Sequence, residues 1–235
     1  MLRFTSCLVL VSLSVFLVVA AEPNYDPPIA KASEDGQKAL QRFRLAEGIT
    51  GELWAAEPLL ANPVAFCLDE QGRCYVAETF RLHKGVTDIR QHMNWLDDDL
   101  ACRTVQDRIA MYRKHLGKNF DSYAQEHDRI RLLVDTNADG KADKATVFAD
   151  GFKDAEVGLG SGLLAHRGNL YYTNLPDLWL LKDTKNSGAA DVRKSLHNGY
   201  GVHVGFLGHD LHGLCIGPDR KLYFSIGDRG LHVVQ

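Results

Sequence analysis

Apolar residues along the chain fall into short runs that come in pairs, with a polar turn between the two members. Three such pairs occur, at residues 64–68 with 74–77, 162–165 with 170–173, and 214–216 with 222–225. The runs are rich in β-branched and aromatic residues, and the turns contain Gly72, Gly168 and Pro218 with Asp219, which suit tight reversals. Each pair is therefore predicted to form an antiparallel β-hairpin.

The returning strand of each hairpin carries a tyrosine, and these tyrosines recur along the chain. Tyr75, Tyr171 and Tyr223 are separated by 96 and 52 residues. A recurrence near ~50 residues is the period of a β-propeller blade. The pattern predicts an all-β fold of the β-propeller type, with material for about three of the four to eight blades of a closed propeller, so incomplete in this chain. The alternative that the same hairpins allow is an antiparallel β-sandwich of about seven strands.

The double length of the first interval is explained by a segment in which the apolar period changes. Between residues 88 and 126, apolar side chains recur roughly as on a helix face, at Trp95, Leu96, Leu100, Val105, Ile109, Met111, Tyr112 and Leu116. Acidic residues at 97–99 and basic residues at 113–115 suit the two ends of a helix dipole. We predict a helical insertion carried on a loop between strands. The β pattern resumes at residues 130–134, with further strands near 146–149 and 178–181.

The first residues have the pattern of an export signal. Residues 1–21 contain one cation, Arg3, then an uncharged run from Cys7 to Ala20 with small residues at its exit, which is typical of a cleaved signal peptide. The alternative is an uncleaved anchor, because tilt or flanking residues can extend a run shorter than ~20 apolar residues. Residues 22–44 are predicted to form an extended leader and 45–235 the propeller domain. The predicted location is exported, in the periplasm or at the cell envelope.

Composition narrows the class of protein. With 45% hydrophobic and 24% charged residues, the chain has the make-up of a folded domain and not of a disordered one. The formal net charge is −3, so there is no cationic excess to hold a polyanion, and nucleic acid is not expected as a partner. The sequence has no Walker loop, Gly-x-Ser-x-Gly motif or dinucleotide fingerprint, which removes the usual support for hydrolase or nicotinamide chemistry.

Export would place the cysteines in an oxidising compartment. Cys67 and Cys74 flank the turn of the first hairpin and are expected to face each other across it. Two interpretations of this pair stay open, a disulfide or two small buried thiols. No Cys-x-x-Cys-His motif occurs, so no c-type haem is expected in this chain.

A run of oxygen-bearing side chains follows the predicted strand at 130–134. Its candidate metal ligands are Asp135, Asn137, Asp139 and Asp143. With Gly140 at the sixth position, the run matches the first half of a calcium-binding loop. Position twelve is Thr146, where an EF-hand has a bidentate glutamate, so an EF-hand is excluded. A calcium-binding loop between strands and a metal-free Asx turn both remain open.

The third hairpin carries the residues with the most specific chemistry. His209 precedes its first strand and Asp228 follows its second, so the hairpin brings the two residues together. A histidine oriented by a carboxylate is the arrangement of a general base, because the carboxylate fixes the ring tautomer and stabilises the imidazolium. The alternative is a structural hydrogen bond between the two side chains. Gly227 and Gly230 would let the backbone approach a ligand closely.

This segment resembles a hairpin of the soluble quinoprotein glucose and sorbosone dehydrogenases, whose pattern is histidine, Gly-Pro-Asp, an aromatic strand and Ile-Gly-Asp-x-Gly. The pattern lies over residues 209–230 without a gap. The resemblance implies a six-bladed propeller that binds pyrroloquinoline quinone, with calcium, and oxidises a sugar or another alcohol. It makes His209 the base and Asp228 the residue that orients it, with Gly227, Arg229 and Gly230 at the cofactor. His212 has no counterpart in the pattern, and we expect it to pack rather than to catalyse.

The wider chain, from about residue 45 to 235, is similar to planctomycete-type membrane-bound dehydrogenases, through residues 63–66, 76–81 and 201–203 as well as the hairpin. In those long proteins helical repeats and a c-type haem domain follow the propeller, so the resemblance implies a downstream haem domain as partner. In the quinoprotein family that the hairpin resembles, the groups that bind the quinone and its calcium lie on later blades. A second hypothesis is a non-catalytic propeller that binds carbohydrate or a protein. Of the remaining histidines, only His203 is close enough in sequence to the predicted site to test.

Overall fold

The computed structural model of the protein describes residues 25–233. The predicted signal peptide, residues 1–21, lies outside this range. The predicted leader is described from Tyr25 onward, and it contains one short helix, α1 (Asp35–Leu40). Among the described residues, every helix is too short or too polar to span a lipid bilayer.

The strands of the described range form two four-stranded sheets and a separate hairpin, and all paired strands are antiparallel. The first sheet consists of β1 (Pro63–Leu68), β2 (Cys74–Glu78), β3 (Asp128–Val134) and β4 (Lys144–Phe152). The second consists of β5 (Gly160–His166), β6 (Asn169–Asn174), β7 (Asp177–Lys182) and β8 (Val192–Asn198), and the hairpin of β9 (His212–Ile216) and β10 (Leu222–Ser225). Within residues 25–233 no sheet closes into a barrel. The predicted antiparallel, all-β class is confirmed.

The three predicted hairpins are confirmed, and they occupy equivalent places in the chain. They are β1–β2, β5–β6 and β9–β10. The aligned tyrosines sit on the second strand of each hairpin, in the pairs Tyr75 with Cys67, Tyr171 with Leu164 and Tyr223 with Cys215. The repeating unit is therefore four consecutive strands. The predicted strands after the first hairpin correspond to β3, β4 and β7, whereas β8 was not predicted.

The predicted helical insertion is confirmed between β2 and β3. It contains α2 (Leu96–Ala101) and α3 (Val105–Leu116), with short 3₁₀ turns on either side. α3 begins at a capping box, in which the Thr104 hydroxyl accepts the Asp107 N–H and the Asp107 carboxylate accepts the Thr104 N–H. Because β2 and β3 remain hydrogen-bonded neighbours, the insertion leaves the pairing of the sheet intact.

The main core lies between the facing sides of the two sheets. Its buried side chains include Tyr75, Ile130, Leu132 and Phe148 of the first sheet and Leu163, Tyr172 and Leu181 of the second. On the other side of the second sheet, the hairpin packs through Leu214, Leu222 and Phe224. On the outer side of the first sheet, residues 54–60 cover the buried side chains of β2 and β3, whereas Phe66 and Leu68 of β1 are 70% and 58% exposed. The layers therefore follow the order of the chain, and the outer side of β1 is an exposed apolar patch.

The register contradicts the expectation that Cys67 and Cys74 face each other. Cys74 pairs with Leu68, and Cys67 pairs with Tyr75. Because neighbouring strand positions point to opposite sides of a sheet, the two thiols project away from each other. Both cysteines are free. Burial raises the pKa of Cys67 to about 12 and that of Cys74 to about 11, so they are unreactive thiols, which is the second of the two interpretations.

Candidate functional site

The connections that follow the even-numbered strands build the candidate site. In consecutive antiparallel strands alternate connections fall on one edge of the sheet, and we call this the site edge: residues 79–127, 153–159, 175–176, 199–211 and 226–233. Hydrogen bonds join these connections to one another. The Leu207 N–H donates to the Asp88 carboxylate at 3.1 Å, across 119 residues of sequence. The opposite edge carries the tight turns of the hairpins.

His209 and Asp228 meet at the site edge, as the hairpin predicts. His209 Nδ1 lies 3.0 Å from Asp228 Oδ1. The Phe206 N–H points at both carboxylate oxygens, at 3.3 and 3.2 Å, and the Gly227 N–H donates to the His209 carbonyl at 3.3 Å. The two side chains are 50% and 39% exposed. The Phe206 N–H thus holds the Asp228 carboxylate in place. The His209 ring points Nε2 away from this carboxylate, toward the side from which a substrate can approach.

The three residues that were expected to contact a cofactor are instead used inside the fold. A Cβ added at Gly227 would lie 2.7 Å from His209 Cβ. Gly230 has a φ of +66°, and a Cβ there would lie 3.0 Å from a histidine ring of the preceding loop. Arg229 is 1% exposed, and its Nε lies 3.2 Å from an oxygen of Asp210. These contacts account for the residue types at Gly227, Arg229 and Gly230 without a ligand, and a role for the three residues at a cofactor stays a prediction.

The helical insertion holds the loop that leads to His209. Asp88, 3% exposed, accepts the Leu207 N–H, and Asp99, also 3% exposed, accepts the Val204 N–H at 2.7 Å. The Arg90 guanidinium donates to Asp88 and holds the pKa of that carboxyl well below its usual range. Both carboxylates therefore act as fixed acceptors for the loop. In the sequence, the acidic residues at 97–99 were assigned to the helix dipole, and the hydrogen bond from the Val204 N–H to Asp99 was not predicted.

An exposed aromatic ring stands beside the pair. Phe206 is 39% exposed, and its ring centroid lies 5.5 Å from that of His209 in an edge-to-face arrangement. The guanidinium carbon of Arg90 lies 5.0 Å from the Phe206 centroid. An apolar ring next to a polar pair is the kind of surface on which a small ligand is oriented. The sequence offered no signal for Phe206, because it lies in a glycine-rich connection without periodicity.

The other two histidines near the site have different surroundings. His212 was expected to pack, and this is wrong, since it is exposed at the start of β9. His203 Nδ1 lies 2.8 Å from the Asp99 carbonyl, and the His203 N–H donates to the Arg229 carbonyl at 2.8 Å. His203 therefore links the insertion to the segment after β10 and does not face the His209 ring.

The candidate calcium loop lies at the opposite edge, between β3 and β4. Its four candidate ligands accept hydrogen bonds within the turn, from the Asp139 N–H to Asp135 (3.3 Å) and Asn137 (3.0 Å), the Lys141 N–H to Asp139 (2.9 Å) and the Thr136 hydroxyl to Asp143 (2.7 Å). In the part of the chain that the structure describes, no group of three or more His, Cys, Asp or Glu side chains is placed to hold a metal ion. The arrangement is that of an Asx turn.

A second turn repeats this arrangement without the metal-ligand pattern. The turn between β7 and β8 has the same Asp-Thr-x-x-x-Gly-x-x-Asp sequence as the turn between β3 and β4. Asp183 accepts the Gly188 N–H at 2.7 Å, as Asp135 accepts the Gly140 N–H at 2.8 Å. The third position is Lys185, a cation where the first turn has Asn137. The shared motif therefore closes the last two strands of each sheet whether its third position is Asn137 or Lys185, and calcium binding at the first turn stays a prediction.

Comparison with known proteins gives one match. A family model described as Domain of unknown function (DUF7133) matches residues 35–235. No curated protein and no solved structure matches the sequence. The matched range contains both sheets, the helical insertion and the His209–Asp228 pair of this chain.

Proposed function

We propose that this chain, which belongs to the family described as Domain of unknown function (DUF7133), is part of an exported β-propeller dehydrogenase whose general base is His209. One observation carries the proposal, the 3.0 Å contact between His209 Nδ1 and Asp228 Oδ1 at an exposed edge. The substrate class is a sugar or another alcohol, from the resemblance of residues 209–230 to quinoprotein dehydrogenases. Export rests on the signal-peptide pattern of residues 1–21.

The repeat of four antiparallel strands supports the propeller architecture. A propeller blade is a four-stranded antiparallel sheet, and blades stack face to face around an axis. The first strands of successive units lie side by side, since a Cβ added at Gly162 of β5 would lie 3.4 Å from His212 Cα of β9. In this architecture β9 and β10 are the first half of a third blade. The six-bladed count rests on the resemblance alone.

The proposed chemistry starts with a proton transfer. When the Nδ1–H of His209 is donated to Asp228, Nε2 carries the lone pair and accepts the proton of a substrate hydroxyl. The carboxylate of Asp228 then stabilises the imidazolium that forms. The Phe206 N–H keeps the carboxylate in place, and the Phe206 ring offers an apolar surface for one side of the substrate.

The cofactor part of the proposal comes from the resemblance. It names pyrroloquinoline quinone and calcium, with a downstream c-type haem domain as electron partner. Arg229 is buried against Asp210, so the quinone would meet the backbone of Gly227 and Gly230 rather than the Arg229 side chain, and its other contacts would come from later blades. No electron-transfer step is assigned to the described residues.

The same internal contacts favour a second candidate function. A propeller that uses its site edge only to bind carbohydrate or a protein would need no cofactor-binding residues there. The exposed Phe206 ring next to His209 would then be the contact surface. This candidate predicts ligand binding that does not depend on quinone.

The deciding experiment compares His209→Ala with His212→Ala in a full-length propeller protein that contains this chain and the later blades. Reduction of an artificial dye is measured with pyrroloquinoline quinone, calcium and a panel of sugars and alcohols. We expect the rate to fall about 10²- to 10⁴-fold in His209→Ala, because general-base catalysis typically contributes that factor. His212→Ala is the matched control, since His212 is exposed only three residues away and should leave the rate unchanged.

Two results would overturn the dehydrogenase proposal: no dye reduction by the wild type, or equal rates in the wild type and His209→Ala. The second candidate has its own readout. Calorimetric binding of a sugar in the absence of quinone, weakened in Phe206→Ala, would establish the binding function instead.

A further inference from the structure

A second pair of charged residues lies directly behind the His209–Asp228 pair. The residues that follow each member, Asp210 and Arg229, also meet, with Arg229 Nε 3.2 Å from Asp210 Oδ1 and Nη2 3.5 Å from Oδ2. Asp210 is 0% exposed and Arg229 is 1% exposed. The dipeptides 209–210 and 228–229 are thus joined by two adjacent pairs, one exposed and one buried.

The strand pairing of the third hairpin ends before it reaches these residues. The last paired position is Ser225 with His212, after an irregularity in the register. Beyond it, the Gly227 N–H donates to the His209 carbonyl at 3.3 Å, and three further backbone hydrogen bonds join residues 229–232 to residues 199–203. None of these three bonds involves residues 209–210, so the backbone leaves a share in fixing the separation of His209 and Asp228 to side-chain contacts.

We infer that the buried Asp210–Arg229 ion pair positions His209 against Asp228. Each dipeptide contributes one residue to the exposed pair and the other to the buried pair. Fixing Asp210 against Arg229 therefore also fixes the Cα atoms of His209 and Asp228. The exposed pair cannot do this alone, because ion pairs with half-exposed partners are weak and compete with water. A buried pair keeps a single arrangement, since either charge without its partner would be desolvated and uncompensated.

The helical insertion adds a third charge to this buried cluster. Arg108 of α3 is 1% exposed and donates to the Glu156 carbonyl at 2.7 Å. Burial raises the pKa of Asp210, and the positive charges of Arg229 and Arg108 oppose that shift. The charge of Arg108 therefore favours the ionised form of Asp210, whose ion-pair partner is Arg229 in the segment after β10. The insertion thus contacts the loop of Phe206 directly and acts on the buried pair through charge.

The test uses the tautomer of the His209 ring, which is independent of catalysis. In the full chain, at a pH where the ring is neutral, ¹⁵N NMR distinguishes protonated Nδ1 from protonated Nε2. We expect the wild type to hold the proton on Nδ1, facing Asp228. In Asp210→Asn we expect a mixture of the two tautomers, because the carboxylate of Asp228 is no longer held at the ring.

A matched control exists in the first sheet. Glu78 and Arg129 form a buried ion pair at 2.6 Å, with side chains 0% and 2% exposed, and they lie on β2 and β3 of the first sheet. Glu78→Gln removes a buried carboxylate charge of the same kind. It is expected to lower stability and to leave the His209 tautomer as in the wild type, so a change seen only in Asp210→Asn reports positioning and not general destabilisation.

A folded Asp210→Asn chain with the wild-type tautomer would overturn the inference. Because this variant leaves Arg229 buried without a countercharge, a second variant replaces both partners, Asp210→Leu with Arg229→Met, which proteins tolerate when volume is conserved. If this double variant folds and keeps the wild-type tautomer, the inference fails as well. Loss of the tautomer preference supports it.

The catalytic consequence rests on the proposed function, and the two can fail separately. If the chain is a dehydrogenase, Asp210→Asn should lower kcat about 10²-fold with little change in KM, as expected for a misplaced catalytic group. A wild type without dehydrogenase activity, but with a tautomer that depends on Asp210, would remove the proposed function and leave the positioning role standing.

Discussion

Asp128 ties the two sheets together at the site edge, and its burial has a measurable consequence. Its carboxylate accepts the Thr79 hydroxyl at 2.7 Å and the N–H groups of Phe80 and Gly160, both at 3.2 Å. Burial raises its pKa from 3.8 to about 6. Since the folded pKa lies above the unfolded one, the stability that Asp128 contributes is fully present below pH 3.8 and is lost as pH rises through about 6.

We therefore expect the advantage of the wild type over Asp128→Asn in free energy of unfolding to shrink as pH rises from about 4 to about 7, by about 3 kcal/mol. Asparagine has nearly the same size and does not titrate in this range. Urea unfolding of both proteins at several pH values measures the difference. A difference that is constant or grows with pH would mean that the three donors keep the carboxylate ionised despite its burial.

At this scale the sequence predicted contacts within one hairpin and missed contacts between distant segments. His209 and Asp228 were predictable because a tight turn between two strands brings their ends together. Asp88 and Leu207 lie 119 residues apart, and nothing in their local sequence relates them. The glycines at 227 and 230 were expected to be sites of close approach, and histidine side chains of the protein itself lie close to both of them.

At the scale of elements, the two Asp-Thr-x-x-x-Gly-x-x-Asp turns should behave alike. In each, the first aspartate accepts N–H groups of the turn, so Asp135→Ala and Asp183→Ala should each lower the free energy of unfolding by about 0.5 to 1.5 kcal/mol, the net value of a hydrogen bond whose donor can turn to water. Neither effect should depend on calcium. Thermal unfolding of the wild type and both variants, with calcium and with a chelator, measures this.

The second turn is the control for the first. A calcium-dependent rise in the Tm of the wild type that disappears in Asp135→Ala and persists in Asp183→Ala would show that the first turn binds the metal. Equal losses in both variants, with or without calcium, would establish a purely structural turn. The comparison works because Lys185 occupies a ligand position in the second turn only.

The predictability of an element followed from its apolar content. Strands such as β1 and β6 are short apolar or aromatic runs next to turn residues, and the insertion was visible because the spacing of apolar residues changed to that of a helix. β8 was not predicted because it is an edge strand with a mostly polar sequence, including Arg193, Lys194 and His197. An edge strand that is paired on one side only has no apolar requirement, so its position had to come from the repeat of four strands.

At the scale of the molecule, equivalent positions in the repeats have different surroundings. Phe66, Leu163 and Leu214 each precede the residue that pairs with the repeat's tyrosine. Leu163 is 7% exposed against the first sheet, whereas Phe66 is 70% exposed. The face that carries Phe66 therefore has the side chains of a sheet-to-sheet interface without a neighbouring sheet in the described residues. In the proposed propeller this face packs against another blade.

Phe66→Lys and Leu163→Ala should accordingly differ in their effects on the free energy of unfolding and on self-association. Leu163→Ala removes a core side chain and should lower the free energy of unfolding by about 2 to 5 kcal/mol. Phe66→Lys changes an exposed side chain, so the free energy of unfolding should stay within about 0.5 kcal/mol of the wild type.

An exposed apolar patch promotes association. Sedimentation should therefore show self-association of the wild type and of Leu163→Ala that is weakened in Phe66→Lys. Equal destabilisation by the two substitutions would mean that the Phe66 face is already covered within the chain, which would contradict the open stack of sheets on which the propeller proposal depends.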